Sequence, residues 1–446
     1  MGGSIHKSAA ILVVGGGTWG CSTALHLARR GYTNVVVLDP YPVPSTISAG
    51  NDVNKIIEQP LPPSDDDKGD THVWAQLLYK AGQAWSSDPV FSPYYHPTGY
   101  ILSAHTPSVI SELRKRDNLD NDPSFTPLHS ASDFRATMPE GVLTGEFPGW
   151  KGWWKKEGAG WVHARKAMVS AAKEAERLGV KFVGGEQGEV VELVYAGGQE
   201  GQGDVVGVKT KDGKVHLAER VILSAGANSP NLIDFKDQLR PTAWTLAHIK
   251  INSDELSLYR DLPVLFNIEK GFFMEPDADK HELKICDEHP GYCNWVGTGS
   301  SRHSVPFAKK QVPKASEDRV RNFLRDIMPQ LASRPFVSAR LCWCADTPNR
   351  MFLIGYHPDH PSLLIAAGGS GHGYMHIPTV GGFIVDAMEG KLTEEFKESF
   401  RWRPETAVNR NWEDTQGRFG GPNKVMNLAD VTEWTHIEGS FEDLSR

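Results

Sequence analysis

One stretch near the start of the chain, "AAILVVGGGTWGCSTALHLARRGYTNVVVLDPYP", restricts the fold more than any other. Residues 11–14 are a short run of β-forming apolar residues, the pattern of a parallel strand buried on both faces. Gly15, Gly17 and Gly20 follow as G-x-G-x-x-G. "CSTALHLARRG" then carries apolar Ala24, Leu25 and Leu27, cations at Arg29 and Arg30, and Gly31. That is a helix with positive charge in its last turn and a glycine stop. "NVVVLD" reads as a second strand ending in Asp39. In such a unit the first glycine permits the tight turn. The second admits a pyrophosphate to the backbone, and the third lets helix and strand pack closely. The helix N-terminus offers free N–H groups to the phosphates. Asp39 stands 19 residues past Gly20, where an acid meets the adenosine ribose hydroxyls. Strand, loop, helix, second strand and acid agree on an α/β, Rossmann-type dinucleotide-binding unit.

The loop alone does not choose between NAD and FAD. Its position near the start of the chain favours FAD. So does "HLAERVILSAGANSPNL" (216–232), which reads as a strand and small-residue turn returning to the nucleotide. Between them, "ARKAMVSAAKEAERLGVKFVGGEQGEVVEL" reads as helix, strand, strand, with Ala167, Val169, Ala172 and Ala175 on the helix's buried side. Val190 is either the residue whose backbone fixes the adenine or an ordinary strand valine.

A chain of 446 residues exceeds what one core usually supports, so two domains are expected. The nucleotide-binding pieces are dispersed over 8–58, 158–235 and 335–395. Segments 59–157 and 236–334 assemble a second, α+β substrate domain around an antiparallel sheet, since runs such as "LPVLFNIEKGFFME" alternate as strands do. Residues 396–446 form a C-terminal segment closing the active site. A formal charge of −8 argues against a nucleic-acid partner. Apolar runs such as "ILVV" fall far short of the ~20 residues that span a bilayer, so no membrane is expected. Five scattered cysteines are no disulfide framework and suit a reducing, cytoplasmic setting; the final Leu444-Ser445-Arg446 is not the peroxisomal Ser-Lys-Leu.

"SLLIAAGGSGHGYMHIPTVGGFIVDAMEG" reads as a strand and a second glycine-rich turn opening a helix, whose N-terminus would stabilise negative charge on a reduced flavin. His372 in that turn is either an acid/base or a residue positioned by the turn. "HELKICDEHPGYC" offers His281, Cys286, His289 and Cys293 at zinc-like spacing, but it also reads as an alternating strand and turn, and no metal is expected. In "ARLCWCADTPNR" (339–350), Cys342 and Cys344 face the same side of an extended segment, so spacing alone does not separate their roles.

"VVGGGTWGCSTALHLARRGYTNVVVLDPYPVPSTISAGNDVNKII", "KHELKICDEHPGY", "ARLCWCADTPNR", "GGSGHGYMHIPTVGGFI" and "WRPETAVNRNWEDTQGRFGGP" together resemble the fungal fructosyl amino acid and fructosyl peptide oxidases, the amadoriases. More distantly they resemble monomeric sarcosine oxidase. The resemblance implies a monomer with a sarcosine oxidase-like fold that acts on a small glycated amine and O2. FAD would oxidise the fructosyl C–N bond to an imine, which hydrolyses to glucosone and free amine, and O2 would become H2O2. It also implies that Cys342, in C-x-x-x-x-T-P, is bonded to the flavin 8α-methyl, with Cys344 a bystander. Lys284 would activate oxygen near the flavin and Lys55 would stand beside the ring. FAD would further contact Gly15, Gly17, Thr18, Trp19, Gly20, Asp39, Ser48, Asn51, Val190, Gly371, His372, Gly373 and Met375. Glu288, Arg418 and Gly371 would line the substrate pocket. Two departures concern the substrate: Glu58 and Met375 stand where sarcosine oxidases carry an arginine and a lysine. A carboxylate anchor is therefore missing, which disfavours the alternative of sarcosine, pipecolate or another secondary amino acid.

Overall fold

Residues 11–14 do form a strand buried on both faces, and that strand lies inside a six-stranded sheet. The chain is described here from a computed structural model covering residues 5–59, 62–64, 66–117, 119–198, 201–298, 302–412 and 424–437. The strand order is Leu353–His357, His360–Ala367, Arg220–Leu223, Ile11–Val14, Val35–Leu38, Lys181–Val183. All neighbours run parallel except the first pair. Alternation along Ile11–Val14 shows why the strand is apolar throughout. Ile11 and Val13 join a core with the helices Thr18–Arg29, Ala164–Arg177 and Val380–Met388. Leu12 and Val14 join another, with the three-stranded antiparallel sheet Val190–Tyr195, Val205–Thr210 and Val215–Leu217.

Helix Ala164–Arg177 buries Ala164, Ala167, Met168, Ala171, Ala172 and Ala175. Val169, expected on that side, is only half-buried, because Met168 takes the place. The small alanines let this helix lie close against Thr18–Arg29.

Among the described residues the larger sheet has nine strands. Its main path runs Phe336–Asp346, Arg240–Lys250, Glu282–Cys293, Gly271–Phe273, Val264–Asn267, Tyr100–Ala104, Lys151–Lys155, Phe125–Leu128. Pairing along this path is antiparallel except between Val264–Asn267 and Tyr100–Ala104. The strand holding Cys342 therefore pairs in this sheet and not in the parallel one. On one face Leu283 and Ile285 pack with Val320, Phe323, Leu324 and Ile327 of the helix Lys314–Ile327. By the two-residue period of a strand, Lys284 and Cys286 point to the other face. Asp287 returns to the helix side, where Arg319 donates to its carboxylate at 2.8 Å.

The second glycine turn does not open directly into a helix. Residues 370–379 are successive turns, and the helix Val380–Met388 starts beyond Pro378. Gly368, Ser370 and Gly371 have φ of 87°, 45° and 85°, left-handed values that a right-handed helix does not continue. Within that helix Gly381 meets helix Thr18–Arg29, where an added Cβ would lie 2.2 Å from the Ser22 carbonyl oxygen. Among the described residues no helix is long and apolar enough to cross a membrane.

Candidate active site

The C-terminal ends of strands Ile11–Val14, Val35–Leu38 and Arg220–Leu223 deliver Gly15, Asp39 and Ser224 to one edge of the parallel sheet, the edge where open α/β sheets bind ligands. Gly15 has φ of 101°, and a Cβ there would lie 2.6 Å from the Ser224 carbonyl oxygen. A Cβ on Gly20 would stand 1.8 Å from the Gly15 carbonyl oxygen, so the third glycine is required by helix–strand contact. Gly17 caps the helix Thr18–Arg29 without a side-chain hydrogen bond, and the first turn holds no acid. A helix start with no acid in its own first turn fits a pyrophosphate.

Asp39 does more than the motif suggests. Its carboxylate accepts the Gly16 N–H at 2.8 Å and the Tyr41 N–H at 2.9 Å, bracing the glycine loop. Burial pushes its carboxyl above the usual range, against the pull of those amides. Val190 begins its strand just beyond a turn at 185–188 that packs on the same end of the site: the Gly185 N–H donates to the Pro40 carbonyl at 3.1 Å.

Trp19 ties the two glycine turns together. Its Nε1 donates to the Gly373 carbonyl at 3.1 Å, and its ring meets Phe352 edge-on at 4.8 Å. His372 lies in that second turn: its Nδ1 is 3.2 Å from an Arg350 guanidinium nitrogen, and its ring meets Trp74 edge-on at 4.5 Å. Met375 packs against the helix-side core, and its carbonyl accepts Trp85 Nε1–H at 2.7 Å. Thr18 and Ser48 meet the close turns of the 48–51 loop; a Cβ on Gly50 would lie 2.2 Å from Thr18 Oγ1, and the Ser48 hydroxyl accepts the Gly50 N–H at 3.2 Å. Asn51 Oδ1 accepts from Arg165 Nε at 2.7 Å.

The second half of the site lies where this loop meets the nine-stranded sheet. Lys284 is fully buried, with its Nζ donating to Asp52 Oδ2 at 2.9 Å and to the Asn54 carbonyl at 2.6 Å. Lys55 donates to the same Asp52 oxygen at 2.7 Å. Burial works against the Asp52 carboxylate, but Lys284, Lys55 and Arg340 outweigh it and hold it well below the usual range. Burial likewise opposes the Lys55 charge, and Asp52 raises it above the ordinary lysine range. Cys342 packs with Cys286 and Leu246, with Ala49 and Phe272 alongside. Burial pushes the Cys286 thiol up to about 12. Cys344, two residues on, is only half-buried.

The sequence profile of the "FAD dependent oxidoreductase" (DAO) family matches residues 10–387. The crystal structure of fructosyl amine:oxygen oxidoreductase (Amadoriase I) from Aspergillus fumigatus superposes with a TM-score of 0.94 at 57% identity, covering 98% of this chain and 100% of that one. Fructosamine oxidase (Amadoriase II) from the same organism gives 0.93 at 53% identity over 99% and 100%. Among curated proteins, L-saccharopine oxidase of Schizosaccharomyces pombe is 27% identical over 89% of this chain and 93% of its own length.

This chain is an FAD-dependent oxidoreductase of the amadoriase family.

In this amadoriase-family protein Lys284, Lys55 and Cys342 lie in one neighbourhood and the glycine loop at the edge of the parallel sheet. Asp52, which joins the two lysines, was not among the residues expected from sequence. The available signal was "NDVNK", an acid three residues before Lys55, but nothing in that string says that a strand some 230 positions later sends a lysine to the same oxygen. Glu288 lies half-buried two residues past Cys286 on the same strand. Arg418 lies outside the described residues. Cys286 and Cys293 do not share a site: the first packs at Cys342, the second donates to the Pro241 carbonyl at 3.5 Å.

Proposed function

We propose that this protein oxidises fructosyl amines, the Amadori products of amino acids or peptides, at the C–N bond of the sugar, with FAD tethered through Cys342. FAD, when bound, would supply the redox chemistry of hydride acceptance from the sugar carbon and electron transfer to O2. The chain's own residues supply three things. The glycine loop and its braced Asp39 seat the pyrophosphate. The buried Lys284 and the adjoining Lys55 offer positive charge where electrons reach oxygen, and preorganised charge in a dry site is worth far more than in water. Cys342 offers a buried thiol beside that charge.

The single observation that carries the reading is the cationic cluster of Lys284, Lys55 and Arg340 around one carboxylate beside Cys342. It suits an oxidase better than a flavoprotein that holds electrons. The substrate class is supported by the amadoriases at more than half identity and by Glu58 and Met375, which leave no cation at two places where a small amino-acid carboxylate would be held.

A peroxide assay over fructosyl-valine, fructosyl-lysine, sarcosine, pipecolate and saccharopine tests it. Peroxide from the fructosyl compounds is expected; peroxide only from the N-methyl, cyclic or saccharopine substrates would overturn the reading. The tether has its own test. Denatured, precipitated protein should keep its yellow colour. Cys342→Ala should release the flavin to the supernatant, while Cys344→Ala should not; release by Cys344→Ala alone would move the bond two residues along the strand.

A further inference from the structure

We propose that His163, Asp277 and Asp279 form a binding site for a divalent transition-metal ion of the zinc type, separate from the flavin chemistry. Each residue offers one donor atom, and the three donor atoms lie within 4.8 Å of one another. His163 immediately precedes helix Ala164–Arg177, which packs in the core on one face of the parallel sheet. Asp277 and Asp279 lie in the turn between strands Gly271–Phe273 and Glu282–Cys293 of the nine-stranded sheet. No spacing marks the group in the sequence, because the histidine and the two acids come from distant parts of the chain. An imidazole with two carboxylates suits zinc better than magnesium or calcium, which prefer oxygen alone. Water would take the fourth position.

Both ring nitrogens of His163 are buried, and neither makes a hydrogen bond. Buried polar atoms are nearly always partnered, and an unpartnered one is costly. Nε2 faces Asp277 Oδ1 at 3.9 Å, too far for a hydrogen bond. Two ligands on one tetrahedral zinc, with bonds of about 2.0–2.1 Å, stand about 3.4 Å apart, so a shift of about half an ångström seats an ion between them. Asp277 is 4% exposed, and its Oδ1 also accepts the Asp279 N–H at 3.0 Å. Buried charges are normally paired or bound to metal. The backbone holds these donors in place before any ion arrives. The Asp277 N–H donates to the Glu282 carbonyl at 2.9 Å, and the His281 N–H to the Asp277 carbonyl at 2.7 Å. On the other side the His163 N–H donates to the Tyr94 carbonyl at 2.9 Å.

Two positive groups oppose an ion here. Lys166 donates to Asp279 at 2.7 Å, and a helix start presents roughly half a positive charge. Two carboxylates against about one and a half positive charges still leave the place negative. Lys166 is 43% exposed at its side chain, so its ammonium can leave Asp279 for water. The first amides of the helix are already engaged: the Ala164 and Arg165 N–H groups donate to the Val53 and Asp52 carbonyls at 3.0 and 2.8 Å. The competing ammonium and the missing fourth protein ligand set the affinity below that of a closed structural zinc site. An ion bound here would join the helix packed on the parallel sheet to a turn of the larger sheet, as a staple between them. Glu275 in the same turn accepts Asn54 Nδ2–H on its carbonyl at 2.9 Å, so the staple would lie close to the 52–54 loop.

Holoenzyme freed of metal by dialysis against EDTA is titrated with zinc chloride in a calorimeter. The natural protein should bind one Zn2+ per chain at this site, and its melting temperature should rise with zinc concentration. His163→Ala should weaken binding by at least about tenfold. Asp279→Asn, at an exposed carboxylate, should do the same. Lys166→Gln removes the competing ammonium and should tighten binding by about three- to tenfold. An adventitious surface ion would respond to none of these changes. No binding by the natural protein would overturn the proposal and leave His163 and Asp277 as an ordinary ion pair. Binding that His163→Ala and Asp279→Asn both leave within about twofold, or that Lys166→Gln weakens, would overturn it as well. Should His163→Ala fail to fold, Asp279→Asn and Lys166→Gln decide, because their expected effects are opposite in sign.

Discussion

Lys284→Met slows oxygen's reoxidation of the reduced flavin by about 10²–10³-fold, the usual cost of removing one preorganised group that stabilises developing negative charge. Methionine matches the length of lysine and fills the same dry space, so the effect is one of charge. The rate of flavin reduction by substrate should change far less, because that step moves electrons away from the amine and not onto oxygen. Stopped-flow measurement of the two half-reactions separates these outcomes. A reoxidation rate equal to that of the natural protein would remove Lys284 from oxygen chemistry. Stability should fall as well. Removing one partner from a buried ion pair costs about 3–5 kcal/mol, and here the lower end applies, since Lys55 still donates to Asp52 at 2.7 Å. Urea denaturation of the holoenzyme reads that loss.

Gly20→Ala should weaken FAD binding strongly. The new methyl carbon would lie 1.8 Å from the Gly15 carbonyl oxygen and 2.9 Å from its carbon, both backbone atoms, so no side chain can yield. Either helix Thr18–Arg29 retreats from the sheet or the turn at Gly15 opens, and each displaces the amides proposed to face the pyrophosphate. At least a tenfold loss of FAD affinity, about 1.4 kcal/mol, is expected, with poor recovery of soluble protein. Gly355→Ala is the control. Gly355 sits in strand Leu353–His357 with nothing within 4 Å of an added Cβ, and should retain the flavin. The ratio of flavin to protein absorbance after gel filtration measures both. Full flavin content in Gly20→Ala would contradict the close contact.

The two halves of the site differ in how far sequence reveals them. The glycine loop is legible because its determinants are local: turn, helix start and packing glycine fall within a few residues, and each has a residue-specific steric reason. The identity of Asp39 was legible for the same cause, though its bracing of the Gly16 and Tyr41 amides was not, because backbone amides leave no mark in a sequence. The second glycine turn shows the limit of local reading. "GGSGHGYMHIPTVGG" looks like a turn opening a helix. The left-handed φ values at Gly368, Ser370 and Gly371 instead push the helix start past Pro378.

By itself the sequence determined the parallel-strand dinucleotide unit, the alternating strands of the larger sheet, and the resemblance that named Lys284, Lys55 and Cys342. Those follow from periodicity, from glycine sterics and from long matching stretches. Only the tertiary structure decided that the Lys284 and Lys55 ammonium groups share one oxygen of Asp52, and that Cys342 packs with Cys286 beside them. The reason is physical. A buried charge is tolerated only where a counter-charge meets it, and which residues meet is settled by the register of strands far apart in the chain and the loop packed against them, not by any spacing within one segment.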